Sequence, residues 1–113
     1  MRKTILIGDV PVPLKATAGT MIRYRNWFGR DLLSDLKKIP AKYEAGDDSI
    51  TEDAFGVIVR LLYTMARQAD SSVPDDLVDW LDQFDSFPIE DFGEEVINFW
   101  VSSLKSTSEQ KNV

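Results

Sequence analysis

The sequence predicts a mostly α-helical fold, a small helical domain of four to five helices with an N-terminal β-hairpin packed on it. A length of 113 residues, 43% of them hydrophobic, suits a single domain with its own core. Apolar residues flank a Gly-Asp pair near the N-terminus, and apolar residues recur at helical spacing over much of the remaining chain. We expect one domain over residues 1–104 and a flexible C-terminal tail over the polar residues 105–113.

The hairpin is predicted over about residues 3–14, with Gly8-Asp9 as a two-residue turn. This turn gives the cross-strand pairs Ile7 with Val10 and Ile5 with Val12. Pro11 and Pro13 then lie where their missing N–H groups face away from the other strand, so the prolines are compatible with the register.

A first helical region is predicted after Thr17, which is a suitable N-cap residue. Its apolar residues follow one another at spacings of three and four: Met21, Tyr24, Phe28, Leu32 and Leu36. Gly29 either ends one helix before another begins or lies inside a single long helix. Pro40 ends this region, and residues 41–48 are predicted to form a loop.

The next helix is predicted to be the centre of the core. Ser49 and Glu52 fit a capping box, and the apolar helix that follows extends to about Ala69. Its narrow polar side includes Arg60 and Arg67, which we expect to face nearby carboxylates.

Two shorter helices are predicted after it. The first follows Pro74, with Asp75 and Asp76 in its first turn and an apolar side formed by Leu77, Leu81 and Phe84, next to Trp80. The second spans about residues 90–104, and its inward side chains are predicted to be Phe92, Val96, Phe99, Trp100 and Leu104.

Composition argues against catalysis. The chain has no Cys and no His, which removes thiolate chemistry, the usual general base and the usual neutral metal ligand. We therefore expect no catalytic residues, no cofactor and no metal site. The longest aliphatic run ends at Arg60 and is far too short for a membrane span, so a cytoplasmic protein is expected.

The charges are unevenly distributed along the chain. Residues 1–46 carry nine Lys or Arg and four Asp or Glu, whereas residues 47–104 carry two Arg and fourteen Asp or Glu. Opposite charges attract either within one molecule or between neighbouring copies. Two readings stay open: the halves neutralise each other in one fold, or copies associate head to tail as a homo-oligomer.

Two sets of residues are candidates for partner binding. The first is basic and aromatic, residue types that often anchor protein interfaces: Arg23, Arg25, Trp27 and Arg30. The second is acidic and is predicted to share one face of the short helix: Asp75, Asp79 and Asp82. A solvated helix face is the commoner explanation of such an acidic set. Nucleic acid is not expected as a partner, because the whole chain is acidic.

The stretch from Leu14 to Leu36, LKATAGTMIRYRNWFGRDLLSDL, combines a small-residue entry with a basic and aromatic helical region. It resembles the N-terminal domain of tail assembly chaperones from long-tailed phages and prophages of Gram-positive bacteria. The likeness is closest over residues 3–40, and the later chain agrees only in its arrangement of an acidic loop, a long apolar helix and two shorter helices.

The resemblance implies a non-catalytic protein that coats the long helical tape measure protein, keeps it soluble and supports tail tube assembly. It implies the tape measure protein as partner, the major tail protein as a further candidate, and the cytoplasm of the infected or lysogenic bacterium as the location. Such a chaperone is absent from the finished virion, and a longer frameshifted form is common in the family. The resemblance assigns no binding role to any single residue.

Two alternatives from other classes remain. The acidic second half is compatible with a DNA mimic, or another phage-encoded interaction module, that occupies a basic protein. An enzyme that works through carboxylates alone would need a concave pocket with at least two acids of raised pKa.

Overall fold

In the computed structural model, residues 1–39 and 51–105 are described, and they form a β-hairpin and five helices. The strands are β1 (Arg2–Ile7) and β2 (Val10–Lys15). The helices are α1 (Gly19–Phe28), α2 (Leu32–Leu36), α3 (Glu52–Ala69), α4 (Leu77–Leu81) and α5 (Ile89–Ser103). The predicted fold class, mostly helical with an N-terminal hairpin, is confirmed. The predicted loop at 41–48, and the tail beyond Lys105, lie outside the described residues.

The hairpin has the predicted turn and register. β1 and β2 are antiparallel, with Ile7 opposite Val10 and Ile5 opposite Val12. Gly8 has a φ of 60° and Asp9 does not have a positive φ, which is the requirement of a type II′ turn. One face of the hairpin is buried and consists of Ile5, Ile7, Val12 and Leu14. This face packs on the helices, with β2 against α3 and β1 against α5.

α3 is the central helix, as predicted. It contacts β2, α1, α2 and α5, and ten of its residues are buried. Its N-cap is Thr51, whose Oγ1 accepts a hydrogen bond from the Ala54 N–H at 3.0 Å. The prediction that Ser49 caps this helix was therefore wrong. Ser49 itself lies outside the described residues.

The first helical region is divided at Gly29, which confirms one of the two alternatives. Gly29 has a φ of 65°, and its N–H donates to the Arg25 carbonyl at 2.7 Å. The predicted cap at Thr17 was one position early, because α1 has its N-cap at Ala18 with no side-chain cap. Thr17 still contributes to this helix start, since its hydroxyl accepts from the Gly19 N–H at 3.1 Å.

Aromatic rings connect the helices across the core. Seven aromatic side chains form a series in which each ring contacts the next edge to face, with centroids 5.0–6.0 Å apart. In order they are Tyr24, Phe28, Tyr63, Trp80, Phe84, Phe87 and Phe92. Such contacts add to the free energy gained by burying the rings. The series extends from α1 through α3 and α4 to α5, and Trp80 connects the short helix α4 to Tyr63 on α3.

The last two helices differ from their predictions in detail. α4 begins at Leu77, so Asp76 is its N-cap and Asp75 lies before the helix. Trp80 is its buried side chain, whereas Leu77, Leu81 and Phe84 are only half-buried. On α5 the inward positions are confirmed except for Leu104, which follows the helix and is 55% exposed. A residue beyond the last helical turn no longer follows the helical periodicity.

Gly29 provides a test of the division between α1 and α2. We expect Gly29→Ala to lower the free energy of unfolding by about 1 kcal/mol, because a side chain disfavours the left-handed conformation. No atom outside the neighbouring residues lies within 4 Å of the added Cβ, so the effect would come from the backbone alone. Gly29→Asn is the matched control and should cost less, since Asn tolerates this conformation. Urea denaturation followed by tryptophan fluorescence measures both, and equal costs would contradict this explanation.

Candidate functional site

The segment that carries the resemblance forms a corner between α1 and α2. α1 ends at Gly29, and Asp31 is the N-cap of α2, with Oδ1 accepting from the Leu33 N–H at 3.0 Å. The Asp31 carboxylate also accepts from the Ser34 hydroxyl at 3.3 Å. The two helices therefore meet at a fixed turn of only three residues, between Phe28 and Leu32.

A buried carboxylate joins this corner to the central helix. Asp35 on α2 is 3% exposed. Arg30 binds it with two hydrogen bonds, Nε to Oδ2 at 2.7 Å and Nη2 to Oδ1 at 2.8 Å. The Tyr24 hydroxyl donates to Oδ2 at 2.7 Å, and Arg60 on α3 donates to that hydroxyl at 3.0 Å and to Oδ2 at 3.5 Å. Lys38 adds a longer ion pair at 3.6 Å.

These contacts fix the protonation states of the cluster. The hydrogen bonds from Arg30 hold the pKa of the Asp35 carboxyl well below its usual range, with Tyr24 and Arg60 acting in the same direction. Burial raises the pKa of Tyr24 to about 12. Asp35 is therefore ionised and Tyr24 neutral at neutral pH, so neither suits proton transfer there. The cluster stabilises the contact of three helices.

A groove runs along the surface of the corner. It has a volume of about 210 Å³, and its lining includes two exposed aliphatic side chains, Ile22 on α1 and Leu33 on α2. Ile22 is 54% exposed and Leu33 is 50% exposed. Arg25 and Arg30 border the groove, together with Asp31. An apolar groove with a basic border suits an amphipathic helix that carries acidic residues beside its apolar face.

The basic candidate residues have different environments. Arg23 and Arg25 are exposed, as expected of a partner surface. The Arg30 side chain is 39% exposed, and its guanidinium is bound to Asp35. Trp27 is half-buried, and the Arg67 guanidinium lies over its ring, 4.3 Å from the ring centroid. Arg23 and Arg25 remain the basic side chains best placed for a partner.

The acidic candidates are also divided. Asp75 pairs with Arg67 at 2.9 Å, so the same arginine contacts both Trp27 and Asp75. Asp79 and Asp82 are exposed, and so is their neighbour Val78, which is 61% exposed. Among residues 1–39 and 51–105 there is no group of three or more acidic side chains that could hold a metal ion.

The expectation that Arg60 and Arg67 face carboxylates is confirmed. Arg67 contacts Asp75 in the acidic half of the sequence, whereas Arg60 contacts Asp35 in the basic half. Lys3 pairs with Glu95 at 3.0 Å, which joins a base of the first half to an acid of the second. These contacts show that the halves pack together, while Arg23, Arg25, Asp79 and Asp82 remain exposed.

Sequence reasoning missed Asp35, Ile22 and Leu33. Asp35 lies three residues after Leu32 and directly before Leu36, so its spacing placed it on the inner side of α2. A charged residue at such a position, with an arginine five residues before it, was the available signal. Ile22 and Leu33 each lie next in sequence to a residue of the predicted apolar helical pattern, Met21 and Leu32. Periodicity alone did not show whether such a neighbour lies at the edge of the core or in an exposed groove.

Comparisons with protein-family models, with curated proteins and with solved structures found no match to this chain. In the described parts of the chain, no helix has the length and apolarity needed to cross a bilayer.

The Asp35 cluster gives the second prediction. We expect Asp35→Ala to lower the free energy of unfolding at pH 7 by about 3 kcal/mol, because it leaves Tyr24 and two arginines without their shared acceptor. The value is set at the low end of the range for buried pairs because Arg30 is partly exposed. Asp82→Ala, which removes an exposed acid, is the control and should change stability by less than about 0.5 kcal/mol.

The pH dependence follows from the depressed pKa of Asp35. A carboxyl with a lower pKa in the folded than in the unfolded state stabilises the fold above the unfolded pKa, about 4, and loses that contribution as the pH falls through the folded pKa. The stability difference between the parent and Asp35→Ala should therefore be largest near neutral pH and narrow below about pH 4. A difference that stays constant down to pH 2.5 would exclude an ionised Asp35 as the cause.

Proposed function

We propose that this chain is a non-catalytic tail assembly chaperone that binds the tape measure protein in the bacterial cytoplasm and supports tail tube assembly. The observation that carries the proposal is the groove between α1 and α2. It is built from the same segment on which the resemblance rests, and it exposes Ile22 and Leu33 beside Arg25. The major tail protein is a further candidate partner of the assembled complex.

The groove fits the chemistry of a long amphipathic client. A helix that docks in a groove inserts apolar side chains spaced three or four residues apart. Ile22 and Leu33 offer an apolar contact for those side chains, and Arg23 and Arg25 offer partners for acidic residues on the flanks of the client. The contact is small, so each copy binds weakly and many copies are needed along one client.

Head-to-tail association is a second element of the proposal. The exposed bases Arg23 and Arg25 lie on α1, and the exposed acids Asp79 and Asp82 lie on and directly after α4. These are different surfaces of opposite charge, which is the arrangement that a heterologous contact between successive copies requires. Such contacts would align copies along the client.

One observation favours a different function. Five aspartates between residues 75 and 85 are all exposed: Asp75, Asp76, Asp79, Asp82 and Asp85. This acidic surface is compatible with a DNA mimic that occupies the binding site of a basic protein. Capture of a nuclease or repressor from the host, abolished by high salt and by replacing these aspartates with asparagine, would support the mimic.

The chaperone proposal predicts that the groove binds the client. Co-expression with the tape measure protein encoded beside this chain should recover soluble tape measure protein in an affinity purification of the chain. Ile22→Glu combined with Leu33→Glu should reduce this recovery at least tenfold, because it places charges where apolar side chains dock. Leu104→Glu is the matched control, since Leu104 is 55% exposed but follows α5 and does not line the groove. An insoluble tape measure protein beside the parent chain would contradict the proposal.

The head-to-tail contact predicts a dependence of self-association on surface charge. Arg23→Glu combined with Arg25→Glu should lower the average mass in sedimentation velocity at low salt, and so should Asp79→Lys combined with Asp82→Lys. Arg30 is left unchanged, because its loss would also disturb Asp35. Mixing the two variants should restore association in part, since each keeps one intact surface. Profiles identical to that of the parent would refute the contact.

A further inference from the structure

The two edges of the hairpin differ in what they offer another strand. On β2, Pro13 lies opposite Thr4 and Pro11 lies opposite Leu6. In this register β2 has three outward-facing N–H positions, at residues 11, 13 and 15, and the first two belong to these prolines, which have no N–H. The outer edge of β2 therefore offers only acceptors at the two proline positions, and prolines at an edge discourage strand addition.

β1 has an outer edge with both donors and acceptors. Met1 and Ala16 exchange two backbone hydrogen bonds of 2.9 Å, which identifies the odd-numbered residues of β1 as those bonded to β2. The N–H and C=O groups of Arg2, Thr4 and Leu6 are therefore directed away from β2. All three residues are exposed, and within the described residues β1 pairs only with β2.

We infer that β1 pairs with β1 of a second copy of this chain, antiparallel and about a two-fold axis at Thr4. In that register Thr4 lies opposite Thr4 of the second copy, and Arg2 lies opposite its Leu6. All outward N–H and C=O groups of the two strands then pair, which gives a four-stranded sheet in the order β2, β1, β1, β2. No cation lies directly opposite a cation, so like-charge repulsion across the pair is avoided.

The surface beside this edge is self-complementary in charge, as an isologous contact requires. A groove of about 610 Å³ lies between the start of β1 and α5. Arg2 and Lys3 lie on one wall, and Glu94 and Glu95 lie on the other, with Lys3 and Glu95 already paired at 3.0 Å. In a dimer about a two-fold axis at this edge, each copy contributes these two bases and two acids to the contact, so the contact contains equal numbers of positive and negative charges.

The same pairing gives Leu6 a neighbour. Leu6 is 65% exposed on the outer face of the hairpin. In the dimer the aliphatic part of Arg2 from the second copy lies directly across from it and covers part of its surface. Pairing through β1 does not involve the groove between α1 and α2, so the inference is independent of the proposed function.

Proline substitution at Thr4 tests the edge. Thr4→Pro removes an N–H that β2 does not use and copies the proline that already lies opposite it, Pro13. Thr4→Val keeps the N–H and is the matched control. At about 0.5 M salt, which screens the charged head-to-tail contact, sedimentation equilibrium should show the parent and Thr4→Val as concentration-dependent dimers and Thr4→Pro as a monomer, with circular dichroism of all three alike. A monomeric parent up to millimolar concentration, or a dimeric and folded Thr4→Pro, would overturn the inference.

A cross-linking test does not depend on how Thr4→Pro folds. The chain has no cysteine, so a single introduced thiol can form a disulfide only between copies. Thr4 residues paired across the axis would have Cα atoms about 5.5 Å apart, within disulfide range. Leu6 residues would be about 14 Å apart, since four residue steps along the strands and the spacing between the strands separate them.

Mild oxidation should therefore give at least ten times more covalent dimer with Thr4→Cys than with Leu6→Cys, although both thiols are exposed. Equal yields would indicate random collision and would overturn the register. Preferential cross-linking of Leu6→Cys would show that copies associate through the outer face of the hairpin instead, and would overturn the pairing through β1.

Discussion

The buried carboxylate of Asp35 is the interaction on which the arrangement of the first half of the molecule depends. Taking an ionised carboxylate out of water costs several kcal/mol unless hydrogen bonds and opposite charge compensate it. Here Arg30 supplies a two-point contact, Tyr24 a hydroxyl and Arg60 a further charge from α3. Since Asp35 lies on α2 and these partners come from α1, α3 and the turn between α1 and α2, the cluster fixes how the corner packs on the core.

The surface groove follows from that constraint. Because Arg30 turns toward Asp35, the helices α1 and α2 are held at one angle, and Leu32 enters the core while Leu33 remains outside. Ile22 and Leu33 thereby face solvent across the corner, with Arg25 at their border. The proposed client contact would cover this apolar surface.

The sequence predicted what depends on periodicity and on turn chemistry. The register of the hairpin follows from one Gly-Asp turn and two prolines, and α3 and the inner face of α5 follow from apolar spacing. A prediction that places apolar residues in the core and polar residues in solvent fails where a charge is buried. It assigned Arg30 and Asp35 to solvent and therefore missed their ion pair. The sequence also placed the cap of α3 at Ser49, whereas the cap is Thr51, since both residues have the required hydroxyl and only the local backbone decides.

The surfaces proposed for partners lie on different elements, which bears on how weak contacts could hold a long client. The groove belongs to α1 and α2, the open edge to β1, and the exposed acids to α4 and the turn after it. Two copies joined through β1 carry two grooves, and once one groove has bound a client, the second binds at an effective concentration set by the distance between them. A repeating helical client that spans both grooves would then be held far more tightly than by a single groove, without any one contact being strong.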